Sequence, residues 1–172
     1  MENANGVRGG GWQETVRVQP WGLPPALRPL KPDVAAQLLE VYRRADEALA
    51  AVAGACKACG TCCRFGPDSP VLFASAMELA YLVGEAGRPP PLPPGEVDAP
   101  WRCPWQSGDL CGARGARTLG CRTYFCRPEA RREGERLYAE TIPRIRTVSR
   151  AARHPWWYGP ARLYLEAAAG RR

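Results

Sequence analysis

Apolar residues recur at steps of three and four after Asp33: Val34, Leu38, Val41, Ala45, Leu49 and Val52. That spacing puts them on one face of a helix, with Arg43, Arg44 and Glu47 largely outside it. The pattern predicts a helix over 33–54, capped by Asp33, that delivers the chain to a run of cysteines. A second helix is predicted from near Ser75. Ser75 and Glu78 have capping-box spacing, Leu79, Leu82 and Val83 follow, and Gly87 ends it. A third is predicted over about 128–142, with Pro128 at its first position, Glu129 at the end that favours an anion, and Leu137 and Ile142 facing inward beside Tyr138. Pro143 is expected to end or kink it. Ile145 to Arg153 reads as helical again, and a short helix near 161–169 follows the break from His154 to Pro160. No stretch alternates convincingly enough to predict a strand, and no segment repeats.

Between these elements the chain is full of breakers. Gly9, Gly10 and Gly11 with Pro20, Pro24, Pro25, Pro29 and Pro32 predict an extended arm, which Trp12 and Trp21 can pin to the body. Pro89-Pro90-Pro91-Leu92-Pro93-Pro94 reads as polyproline, a stiff connector in preference to a ligand for a proline-binding domain. Eighteen Gly and eighteen Pro in 172 residues leave room for only a modest core. Such a chain commonly needs a covalent or metal staple. The expected fold is mainly α with extensive irregular structure, a small single domain organised around a cysteine-ligated metal or iron–sulfur site. Three parts are expected: a Pro/Gly-rich arm over 1–31, a cysteine-cluster metal-binding domain over 32–127, and a basic C-terminal helical segment over 128–172 packed on it.

The cysteines supply the candidate chemistry. Cys56, Cys59, Cys62 and Cys63 form one group; Cys103, Cys111, Cys121 and Cys126 form another. A two-residue spacer turns two thiolates onto one metal, and Gly60 removes the steric cost of a positive φ there. Lys57 would lower thiolate pKa values. Three cysteines at this spacing can hold three corners of a [4Fe-4S] cluster, and they serve zinc equally well. Cys62 and Cys63 are adjacent, and in extended chain adjacent side chains point to opposite sides. They are therefore not expected to share one ion, and which of them joins the cluster is left open. Pro104, Gly108, Gly112, Gly115 and Gly120 let the second group bend back to complete the site. All eight cysteines stand as candidate ligands, since a buried-thiol role is a weak account of so many. Trp101 and Trp105 flank Cys103, as shielding for a cluster or as core.

The run CKACGTCC resembles the CxxCxxCC signature of the YkgJ-type cysteine-cluster family, a zinc- or iron-chelating domain. Cys103-Pro104 is similar to that family's Cys-Pro, Cys111 to its next cysteine, and Cys121-Arg122-Thr123-Tyr124-Phe125 to its Cys-Arg-x-aromatic stretch. The likeness covers roughly 56–128, including the Ser75–Leu82 helix. It departs at 112–120, where Tyr and Arg-Pro are usual and this chain reads Gly-Ala-Arg-Gly-Ala-Arg-Thr-Leu-Gly. The resemblance implies a metal or iron–sulfur site and little about a reaction.

Charge is segregated. Residues 1–100 carry nine basic against eleven acidic side chains, whereas 101–172 carry fifteen arginines against six acids. Nucleic acid or an acidic partner is one reading of the basic half; a compositional bias toward arginine is the preferred one. A single histidine, His154, argues against zincin motifs, Ser-His-Asp triads and two-histidine iron sites, and is read as hydrogen-bonded or at the surface. Trp156, Trp157 and Tyr158 are read as packing rather than base-stacking. No GxGxxG or Walker loop occurs. The opening residues have no basic-then-apolar leader and no run is long enough to span a bilayer, so a cytoplasmic location with no membrane partner is expected. The functional expectation is an iron–sulfur binding or redox module with a redox or protein partner. The alternative is a zinc-stabilised interaction module that contacts nucleic acid or an acidic protein. A thiol redox catalyst or cluster-dependent transferase ranks last.

Overall fold

The structure is a computed structural model, and it describes residues 22, 24–53, 59–66, 71–92 and 100–169. The glycine run, Trp12, Trp21, Cys56, Lys57 and the end of the proline series at 93–94 lie outside these residues. Helix α1 is Pro32–Ala53. Asp33 sits in its first turn rather than capping it, and the Lys31 carbonyl accepts from the N–H groups of Val34 and Ala35. Val34, Leu38, Ala45 and Leu49 are buried as the spacing predicts, but Tyr42, absent from that stripe, is buried more deeply than Val41 or Val52.

Strand β2 (Phe73–Ser75) leads directly into helix α2 (Ala76–Ala86). The capping box forms as predicted: Ser75 accepts from the Glu78 N–H, and the Glu78 side chain accepts from the Ser75 N–H. Gly87 closes the helix at φ 82°. Helix α3 (Leu119–Thr123) is a short turn that lies against α1 and helix α4 (Pro128–Ala151).

Helix α4 corrects the sequence reading. It runs unbroken through Pro143. Thr141, Ile145 and Ser149 are buried along its inner face while Pro143 is exposed on the outer one. The ring and the carbonyl it leaves without a donor therefore face solvent, and packing against α1 holds the helix together across them. On the same helix Gly134 passes so close to α3 that a Cβ there would stand 1.9 Å from the Thr123 carbonyl oxygen. Helix α5 (Ala161–Ala168) packs on α2.

Strands are also present, contrary to expectation. β1 (Arg64–Phe65) pairs with β3 (Trp101–Arg102), β2 with β6 (Tyr158–Pro160), and β4 (Gln106–Ser107) with β5 (Leu110–Cys111), all antiparallel. Each is two or three residues long, too short for alternation to register. The β2–β6 pair ties the C-terminal segment to the start of α2, and Trp157 is core. Among the described residues no helix is long and apolar enough to cross a membrane.

Candidate metal centre

Three local devices bring distant cysteines together. The first is a tight turn. Gly60 adopts φ 70°, and the Cys63 N–H donates to its carbonyl at 3.0 Å, opening a 3-10 turn over Thr61–Cys63. The second is the β1–β3 pair, extended by one bond in which the Cys103 N–H donates to the Cys63 carbonyl at 2.8 Å. The stacked rings of Phe65 and Trp101, 4.3 Å apart, cover that pair. The third is the hairpin of β4 and β5, turned at Gly108 (φ 57°), which sets Cys111 opposite Gln106. A glycine in the first position of a two-residue loop is what a type II′ hairpin turn requires. Gln106 locks the hairpin to the turn by donating from Nε2 to the Gly60 carbonyl at 2.9 Å. A Cβ on Gly60 would lie 2.4 Å from that nitrogen and 2.7 Å from the Asp109 carbonyl oxygen, so only glycine fits.

The result is a set of thiols centred on Cys63, which shares hydrogen bonds with Cys103, Cys111 and Cys62. Those contacts hold the Cys63 proton in place and raise its pKa far above the usual value. The Cys63 thiol correspondingly lowers Cys62 and Cys111 to about 6 each and lowers Cys103 as well. Arg117 adds positive charge beside Cys62 and Cys111, and Arg114 beside Cys111. Both arginines also line a shallow surface groove of about 920 Å³ along α1.

The expectation that Cys62 and Cys63 face apart is thus corrected. It assumed extended chain, and the Gly60 turn winds both residues into a 3-10 helix instead, where their thiols meet.

Of the other described cysteines, Cys59 and Cys121 neighbour this set. Cys59 is exposed, and its sulfur lies 3.2 Å from the Thr61 hydroxyl, which lowers its pKa. Burial pushes Cys121 up to about 12, and the Thr118 hydroxyl donates to its sulfur at 3.4 Å, so it is a protonated thiol beside Cys103 and Cys111. Cys126 is exposed, and its carbonyl accepts from Arg131. His154 is far along the chain at the end of α4, with Nδ1 3.2 Å from the Pro155 carbonyl oxygen.

Among the described residues, no group of three or more Cys, His, Asp or Glu side chains is arranged to hold a metal ion. Four sulfur donors suit a thiophilic metal by their chemistry.

Sequence reasoning missed Gln106, Arg114, Arg117 and the buried role of Glu78. Gln106 carries no signal in isolation. Glu78 does, because Ala76, Met77, Leu79 and Ala80 surround it with apolar neighbours and leave no wet face for a carboxylate. Comparison with protein-family models, curated proteins and solved structures found no match.

Proposed function

We propose that this protein is a thiolate metal-binding module whose first ligand set is Cys62, Cys63, Cys103 and Cys111. The observation that carries the reading is the meeting of these thiols from two segments some 40 residues apart, through backbone pairing built for that purpose. The resemblance of the cysteine pattern to the YkgJ-type family points the same way. Metal binding there would replace the shared protons, since ligating cysteines bind as thiolates.

The mutual effect of the Cys62, Cys63, Cys103 and Cys111 thiols on one another's protonation marks them as close neighbours, which favours one ion over a cubane. A tetrahedral zinc at about 2.3 Å from each sulfur places its ligands about 3.8 Å apart, close to touching. In a four-iron cluster the iron and sulfide atoms lie between the cysteines and separate them. A zinc-stabilised module is therefore the leading reading here. The iron–sulfur reading keeps one support of its own, the ferredoxin-like spacing of Cys56, Cys59 and Cys62.

Elemental analysis and a visible spectrum on anaerobically purified protein separate the two. Colourless protein with one zinc per chain supports the single-ion site. Brown protein with iron and acid-labile sulfide supports the cluster. Metal-free protein with every thiol titratable defeats both. Cys63→Ser is expected to weaken metal retention about tenfold or more, the scale at which even outer-shell partners act.

A further inference from the structure

We infer that the C-terminal half of α4 and the turn after it form a binding surface for single-stranded nucleic acid, independent of the thiol site. The two halves of this helix differ in charge balance. In the first, Arg136 is paired with Glu133 and Glu140. From Thr141 to Leu165 there are five arginines and no acid. Four of these, Arg144, Arg146, Arg150 and Arg153, are exposed, and among the described residues no carboxylate pairs with any of them. Arg162 is buried and paired with Glu166, so it takes no part.

Arg146 and Arg150 are one turn apart on the outer face of the helix, about 6 Å along its axis. Arg153 follows just beyond the helix end and is exposed. It is also the one non-glycine residue with positive φ among those described, at 52°. Glycine is the residue that takes this conformation at a helix end without strain. Here the turn closes the helix as a Schellman cap, the His154 N–H donating to the Ser149 carbonyl and the Arg153 N–H to the Arg150 carbonyl, and the chain places an exposed cation where glycine is the usual residue.

The fourth feature is aromatic. Trp156 is half-buried beside the stripe, with the Arg146 guanidinium 5.6 Å from its ring centroid and the Tyr158 ring parallel to it. Guanidinium groups for phosphates beside a part-exposed indole for a base form the pairing that single strands use. An acidic peptide or anionic membrane would need the charge but not the aromatic platform.

The test is fluorescence anisotropy with a labelled 20-nucleotide single strand of mixed sequence, using the protein as purified, across a salt series. Three phosphate contacts predict a slope of log affinity on log salt of about −2. R146E/R150E/R153E is expected to lose at least about tenfold in affinity and most of that slope. R127E/R132E/R136E, with the same charge change in and beside the first half of the helix, is expected to lose much less. Arg153→Gly separates binding from folding: it should raise the melting midpoint by relieving strain, yet weaken binding and reduce the slope by about 0.7. The proposal is overturned by salt-independent binding, by equal losses in the two triple variants, or by Arg153→Gly binding as tightly as the parent. Equal affinity for polyglutamate or for vesicles containing anionic phosphatidylserine would likewise overturn the assignment to nucleic acid. Metal content measured on every sample keeps this result separate from that of the thiol site.

Discussion

Two polar hubs lie in this small fold, and they are finished to different degrees. Glu78 is 1% exposed, and its carboxylate is completed by four donors: the Ser75 N–H, the Ser75 hydroxyl and the Leu119 N–H, each at 2.8 Å, and the Tyr42 hydroxyl at 3.3 Å. It fastens α1, the start of α2 and the start of α3 to one point. Cys63 also gathers three partners, but it is half-exposed and its partners are like groups competing for one proton. A carboxylate met by N–H and O–H donors is a closed structure. A group of thiols is closed by its own protons or by a metal in their place. The first hub holds the fold, and on the reading proposed above the second takes a metal.

Replacing the completed hub should therefore have the largest effect on stability and no direct effect on metal. Glu78→Ala leaves the Ser75 N–H, the Leu119 N–H and the Tyr42 hydroxyl buried without their acceptor. Each such loss costs about 1–3 kcal/mol. Relaxation and water entry reduce the sum, so a loss of about 3 kcal/mol is expected from urea unfolding. Metal per folded chain should stay unchanged. If Glu78→Ala strips the metal while the fold persists, the two hubs are one unit and the contrast fails.

Gly60→Ala tests the other side. The new methyl meets Gln106 and the Asp109 backbone, and alanine must adopt φ 70°. Strain of this kind costs about 1–3 kcal/mol. It falls on the clamp between the turn and the hairpin, so metal retention should fall further than global stability does. A variant that unfolds earlier yet retains metal like the parent would show that the Gly60 turn does not organise the thiols.

The two hubs also differed in how far they could be read in the sequence. Helices α1, α2 and α5 follow from apolar spacing, the capping box and flanking breakers, all local signals. Pro143 misled because local propensity is a statement about an isolated helix, whereas Ile145 and Thr141 are held by contacts with α1 made across the fold. The cysteine set was legible as a set, but its centre was not. Whether Cys62 and Cys63 diverge or converge depends on the backbone at Gly60, and that conformation is stabilised by Gln106 from 46 residues away. Glu78 was read as a cap, correctly, while its bonds to Leu119 and Tyr42 join residues 41 and 36 positions distant and leave no periodic trace.

A third polar group shows the smallest version of the contrast. His154 has one ring nitrogen near the Pro155 carbonyl and the other, Nε2, buried without a well-formed hydrogen bond among the described residues. Burial, with the charge of Arg28 adding to it, lowers its pKa below the usual 6.5, although contacts with the Pro155 and Arg28 carbonyls oppose the shift. Protonation therefore favours the unfolded chain. The neutral ring's contribution is complete above about 6.5 and is lost as pH falls through the depressed folded value. Glu78 acts in the opposite sense. Its burial raises the folded pKa, so acidification from neutral pH toward 4.5 stabilises the fold through that group. The parent's own pH profile mixes these terms, and only a difference isolates His154. Unfolding free energies of the parent and His154→Gln, measured between pH 7.5 and 5.5, should diverge steadily, with the parent losing ground on the acid side. Exposed carboxylates such as Glu40, whose pKa its arginine partners lower to about 2, titrate below that window and leave the difference untouched. A constant difference across the range would mean that the ring is free to protonate in the folded chain, and that its buried nitrogen is reached by water after all.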